Sequence, residues 1–159
     1  MKRMAQSLLL VLYRMVAATG FMSTRFGRRL FEAAYFFYKR HIEAEAVEAL
    51  HSFVWEGSVA IDVGANLGFF TRYFAQWCGP EGKVIAIEPE EVNFRTLKAA
   101  MARDGFADVV EALQGVAAAA PGEGRLHVNP YHPGDHRLAD DGVPVTVWTI
   151  DDLLAERGW

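Results

Sequence analysis

Apolar and polar positions follow three different rhythms along this chain. Residues 1–20 (MKRMAQSLLLVLYRMVAATG) carry an apolar run from Leu8 that is interrupted at Arg14. It is well short of the roughly 20 apolar residues that a membrane-spanning helix requires. Gly20 and Gly27 punctuate this head, and Arg29–Leu50 then reads as a helix carrying Phe31, Tyr35, Phe36 and Tyr38. From Val59 the pattern changes. Nearly continuous apolar runs at Val59–Val63, Lys83–Glu88 and Val109–Gln114 alternate with segments of helical period at Phe69–Trp77 and Glu91–Asp104. In the second helix Phe94, Leu97 and Met101 share one face, and Gly79-Pro80-Glu81-Gly82 marks a turn. Strands that are apolar at nearly every position are covered on both faces, and strands joined by helices lie parallel. The expected fold is α/β, part of a doubly wound sheet preceded by N-terminal helices. After Gly115 the texture shifts again. Arg125–Val128 and Val143–Ile150 read as strands around a polar loop rich in His and Asp, and a last helix is expected from Asp151, whose carboxylate can cap it.

Composition narrows the class. A chain of 159 residues with 52% apolar and 13% aromatic content can build one substantial core and is not a disordered chain. Its one cysteine, Cys78, excludes an intrachain disulfide or a cysteine-based zinc site and points to a reducing, cytoplasmic setting. Charge is unevenly spread. Residues 1–40 hold eight bases (Lys2, Arg3, Arg14, Arg25, Arg28, Arg29, Lys39 and Arg40) against Glu32 alone. The rest holds eight bases and nineteen acids, by difference from totals of 16 and 20. A basic, amphipathic segment over residues 1–52 is therefore expected to lie either on an anionic membrane surface or on the protein's own body. A secretory signal fits poorly, because Arg14 breaks the apolar stretch. The body, residues 53–159, has no basic stripe, which argues against a nucleic-acid partner.

The chemistry concentrates where the first strand ends. Asp62-x-Gly64-x-Asn66-x-Gly68 leads straight into a helix. Glycines there let the chain turn sharply and let a ligand approach backbone where a Cβ would collide; Asn66 tolerates a left-handed conformation, and Asp62 can anchor the turn or meet a cationic group. Glu88, at the end of the next strand, is placed to accept hydrogen bonds from both hydroxyls of a ribose. A dinucleotide fingerprint would need glycines at 64, 66 and 69, and this chain has Gly64, Asn66 and Phe69. Side chains at the last two positions would crowd a pyrophosphate on the helix N-terminus. The spacing thus favours S-adenosylmethionine, which has no phosphate, over a nicotinamide dinucleotide.

VAIDVGANLGFFT and KVIAIEPEEVNFRTL together resemble the FkbM family of S-adenosylmethionine-dependent methyltransferases. Tyr38-Lys39 and Glu43 upstream, Gly134–Leu138, and the run Val145–Leu154 add to the likeness, which covers roughly residue 30 to the C-terminus. The resemblance implies a Rossmann-like class I methyltransferase fold and S-adenosylmethionine as cofactor. It implies that Asp62, Gly64, Asn66 and Gly68 hold the methionine end and Glu88 the ribose. Pro89 and Asn93 would shape the ribose loop, and Gly115 and Val116 would lie near the adenine. It also implies O-methylation of a hydroxyl on a sugar, glycan or polyketide-like product. Family members continue past the Asp-Asp-Leu-Leu helix with another strand. The body is therefore expected to be the N-terminal part of the domain, either a truncated one or one completed by a partner. The first strand would then have an exposed apolar edge suited to self-association.

An alcohol needs a proton acceptor as it attacks a methyl group. The loop 129–141 offers His132, Asp135 and His136, with Arg137 to orient a substrate, and His136 and Asp135 are the candidate catalytic residues. A metal site at His132 and His136 lacks a further ligand set, so no metal is expected. Two other functions compete with methyl transfer: a non-catalytic cofactor-binding or membrane-associated module, and a nicotinamide oxidoreductase.

Overall fold

A computed structural model describes residues 24–128 and 136–159, with the side chains of 25, 28, 29, 31 and 32 excepted. The run from Leu8, Asp135 and His132 lie outside the described residues. The helix expected over Arg29–Leu50 is two helices, α1 (Arg25–Ile42) and α2 (Ala44–His51). They part at Glu43, whose φ of −101° and ψ of 11° leave the helical region while its N–H still reaches the Lys39 carbonyl. Helix α1 also starts earlier than its periodicity suggests, because Thr24 caps it: the Thr24 hydroxyl accepts the Gly27 N–H at 2.9 Å.

The alternating region folds as its pattern predicts. Strands β1 (Val59–Val63), β2 (Lys83–Glu88) and β3 (Val110–Gln114) form a parallel sheet in the order β1-β2-β3, with α3 (Phe69–Cys78) and α4 (Glu91–Arg103) as crossovers. Side chains alternate across β2. Val84 and Ala86 meet α3 and α4 through Phe74, Ala75, Cys78, Leu97, Ala100 and Met101. Ile85 and Ile87 point the other way, onto Leu153 of the last helix. All four strand residues are fully buried, which is why the run has no polar position between Lys83 and Glu88. Cys78 is buried among apolar residues and burial raises its thiol pKa, as befits a packing residue.

The C-terminal third departs from the expected pattern. Strands β4 (Val116–Ala117), β5 (Gly122–His127), β6 (Arg137–Leu138) and β7 (Val143–Trp148) form a second sheet in the order β4-β7-β5-β6, with β5 antiparallel to both of its neighbours. Strand β7 stops at Trp148 rather than Ile150. Helix α5 (Ile150–Glu156) is capped by Thr149, not Asp151: the Thr149 hydroxyl accepts the Asp152 N–H at 3.1 Å. A bidentate pair, Arg157 to Glu111 at 2.7 and 2.6 Å, ties its end to β3.

The two sheets meet at Gly115. A Cβ there would lie 2.4 Å from Trp148 Nε1 and 2.6 Å from the Thr146 carbonyl. The Trp148 indole N–H donates to the Gln114 carbonyl at 3.2 Å across the same seam. Strand β1 is at the sheet edge among the described residues, with Val59 and Val63 exposed.

Candidate functional site

Strand β1 delivers Asp62 and then turns. Gly64, at φ 78°, and Asn66, at φ 50°, take left-handed conformations, and open space lies where a Cβ on Gly64 would stand. Gly68, at φ 80°, also has a packing role that its spacing does not announce. Its missing Cβ faces inward, where it would sit 2.6 Å from Leu97 Cδ1 and 3.1 Å from Met101 Cε. It lets α3 pack on α4.

The backbone of this turn is fully engaged. Gly64 and Ala65 donate to the Ile87 carbonyl at 2.9 and 3.0 Å, Asn66 to Glu88 Oε2 at 2.7 Å, Leu67 to Asn66 Oδ1 at 2.8 Å, and Gly68 to the Ala65 carbonyl at 2.8 Å. A pyrophosphate seated here would need those same N–H groups. Phe69, only 5% exposed, further closes the start of α3 by stacking on Phe36 of α1 at 6.0 Å between ring centroids.

Two buried carboxylates remain at the strand ends. Asp62 accepts the Thr71 hydroxyl at 2.6 Å, a partner from the first turn of α3. Burial raises its pKa, with Thr71 and the charge of Lys39 pulling the other way. Glu88 is 3% exposed. Its Oε2 accepts the Asn66 N–H, while Oε1 accepts the Glu90 N–H at 3.1 Å and the Asn93 amide at 3.3 Å. Burial raises Glu88 as well, offset by those hydrogen bonds and by the charge of His136. A carboxylate has about four lone-pair positions, so Oε2 retains acceptor capacity. Asn93 acts behind Glu88: its backbone N–H is taken by Glu90 and its side chain braces the carboxylate.

A cavity of about 280 Å³ opens beside these groups. One wall is the carboxyl ends of the parallel strands: Val63 and Gly64, Ile87 and Pro89, and Gly115. Val116, Ala117, Leu126, Arg137 and Leu138 of the second sheet, with His136 just before β6, form the other. The candidates Gly64, Pro89, Gly115, Val116 and His136 thus share one cavity, whereas Asp62, Asn66, Gly68, Glu88 and Asn93 are not among its lining residues. Sequence reasoning missed Leu126 and Leu138, since a short antiparallel sheet folding back over the strand ends leaves no periodic signature. It also assigned no role to Thr71 or Tyr35.

A three-strand parallel sheet with helical crossovers, a glycine turn after β1 and a buried acid closing β2 define a Rossmann-like fold. The chain belongs to the FkbM methyltransferase domain family, whose model matches residues 62–158. It is 37% identical over 73 residues to a protein-L-isoaspartate O-methyltransferase of Triticum aestivum, a match covering 41% of this chain and 32% of that protein. The chain therefore spans about a third of that relative's length. Among solved structures it is similar to an S-adenosylmethionine-dependent methyltransferase from Aquifex aeolicus, at 30% identity and a TM-score of 0.40, covering 43% of this chain and 36% of the other. It is also similar to a methyltransferase FkbM from Methylobacillus flagellatus, at 21% identity and a TM-score of 0.40, covering 62% and 23%.

Proposed function

We propose that this chain binds S-adenosylmethionine across the carboxyl ends of β1, β2 and β3 and serves methyl transfer to a hydroxyl of a sugar, glycan or polyketide-like acceptor. The observation that carries the reading is Glu88, a carboxylate 3% exposed that stands in sequence between two residues lining the cavity, Ile87 and Pro89, with acceptor capacity left on Oε2. Such a group suits a ribose hydroxyl, and the long Asn93 contact is the one a second hydroxyl would share. Val116 and Leu126 offer apolar surface to the adenine, and the open space over Gly64 leaves room for the donor's chain. The bound donor supplies an electrophilic methyl group on a sulfonium.

The protein's part is positioning and proton removal. His136 stands on the cavity wall opposite Gly64 and close enough to Glu88 to feel its charge. In this reading it takes the acceptor's proton, with Asp135 as its neighbour in sequence. His136→Ala is expected to lower turnover in a radiolabelled methyl-transfer assay by about 10²-fold, the lower range for general base catalysis, with donor affinity near normal. Unchanged turnover would remove His136 from the chemistry. Loss of affinity in step with turnover would make it a donor-binding wall instead.

A second, compatible reading concerns α1. Phe26, Leu30 and Phe37 fall on one stripe of that helix and are 69%, 54% and 69% exposed, with basic residues at Lys39, Arg40 and His41 in its last turn. No helix among the described residues is long and apolar enough to cross a membrane. We propose that this stripe rests on an anionic lipid surface. Co-sedimentation with phosphatidylserine vesicles should fall several-fold in Phe26→Asp/Phe37→Asp. Equal sedimentation of both proteins, or none by the parent, contradicts it.

A further inference from the structure

Exposed apolar surface lies on two sides of the sheet's carboxyl end. On one side is α1. Phe36 stacks on Phe69, the first residue of α3, and the Arg72 guanidinium lies over the Phe36 ring at 4.2 Å from its centroid. One turn on, the Lys39 ammonium is 5.9 Å from the Phe69 centroid and 5.6 Å from that of Phe70. On the same face of α1, burial pushes the pKa of Tyr35 up to about 12, and the charges of Glu43, Glu88 and Asp62 add to the rise. This face of α1 therefore reaches the ends of β1 and β2. By the period of the helix Phe26, Leu30 and Phe37 point the other way. Their exposed stripe is thus carried at the end of the sheet where the cavity opens.

The second apolar surface belongs to the cavity itself. Two of its large lining residues stand open to water: Val63, 57% exposed, from the end of β1, and Leu138, 45% exposed, from β6. They come from opposite walls, so the rim is apolar on both sides. Arg137, beside Leu138, is exposed and basic, and half-buried His136 is the polar group next in line. A free sugar presents hydroxyls over most of its surface and would leave Val63 and Leu138 uncovered. A hydrocarbon chain would cover both. Exposed apolar residues with a basic neighbour are also what a protein sets against an anionic lipid surface, and the stripe on α1, with Arg40 and His41 in its last turn, has the same make-up.

Resting on the methyl-transfer reading above, we infer that the acceptor is membrane-resident: its hydroxyl is carried on an amphiphile whose hydrocarbon body lies against Val63 and Leu138, while α1 holds the protein on the same anionic surface. The reaction itself is unchanged. A bond forms from the acceptor oxygen to the methyl carbon, the methyl–sulfur bond breaks with its electron pair left on sulfur, and the hydroxyl proton passes to His136. What the rim adds is selection. It favours an alcohol that arrives with a lipid chain over the same alcohol free in water.

The test compares radiolabelled methyl transfer by the full chain to hexosyl diacylglycerols in phosphatidylserine vesicles and to the corresponding methyl hexosides in solution. The sugar hydroxyls are the same, and the hydrocarbon differs. Transfer to the vesicle-borne acceptors is expected to be more efficient by about tenfold, which corresponds to about 1.4 kcal/mol. Leu138→Asn should reduce that preference several-fold, which mere crowding of acceptor on a vesicle would not explain. Phe26→Asp/Phe37→Asp should reduce it as well. Equal or better transfer to the methyl hexosides, or a preference undiminished in both variants, overturns the membrane-resident acceptor and leaves methyl transfer standing. Transfer to neither class of acceptor overturns the methyl-transfer reading, and this inference with it.

Discussion

Glu88→Gln should weaken S-adenosylhomocysteine binding by about 10- to 100-fold. A hydrogen bond to a charged partner contributes about 1.5–3 kcal/mol, and each 1.4 kcal/mol is about tenfold in affinity. The substitution also disturbs the free protein. Both carboxylate oxygens accept N–H groups, from Asn66 on one side and from Glu90 and Asn93 on the other. An amide placed there must turn its NH₂ toward one of these donors, at a stability cost of about 1–3 kcal/mol. The pH dependence gives an independent check. Burial raises Glu88 in the folded state, so the acid protonates above the usual carboxylate range. Its effect on folding and on binding then has opposite sign. As pH falls through the raised value, the folded state takes up its proton before the unfolded one and gains stability from this group. Donor affinity over the same window should fall, because the charge that holds the ribose disappears. Glu111, which Arg157 holds below the usual range, behaves the other way and loses stability as pH falls. Calorimetric titration at mildly alkaline and mildly acidic pH should show this decline in the parent and a flatter profile in Glu88→Gln. A parallel decline in both would shift the effect to another group, with Asp62 the first to examine.

Gly115→Ala should lower the melting temperature by about 5–15 °C, the shift expected for roughly 2–4 kcal/mol in a chain of this size. The new methyl group would meet the Trp148 ring and the Thr146 carbonyl at 2.4 and 2.6 Å. The ring has a degree of freedom, but the carbonyl belongs to the β5–β7 ladder. Relief therefore requires β7 to move away from β3. Since Gly115 and Val116 line the cavity, weaker donor binding should accompany the loss of stability. An unchanged melting temperature would mean that the seam is looser than its geometry implies.

Much of this was legible in the sequence, and the reasons are physical. A strand buried on both faces has to be apolar along its buried positions, so VIAI announces β2 and Glu88 stands out as the polar residue that ends it. The Asp62–Gly68 turn is equally readable because left-handed backbone selects glycine and asparagine. What failed to show were features with no local period. The break at Glu43 has no Gly or Pro to mark it, and β4 and β6 are two residues each. Gly68 illustrates a finer ambiguity. Its spacing announces ligand approach, and the packing role appears only in the position of Leu97. Lys39 was visible as a motif residue, but its place beside Phe69 depends on how α1 folds back, which composition and period do not encode.

The central claim is that the donor's nucleoside lies between the strand ends and the second sheet, with its ribose on Glu88. A crystal structure of the full chain with S-adenosylhomocysteine tests this most directly. The account predicts ribose hydroxyl oxygens within hydrogen-bonding distance of the Glu88 carboxylate and adenine against Val116 and Leu126. A nucleoside bound elsewhere, with Glu88 keeping only its contacts to Asn66, Glu90 and Asn93, would contradict it.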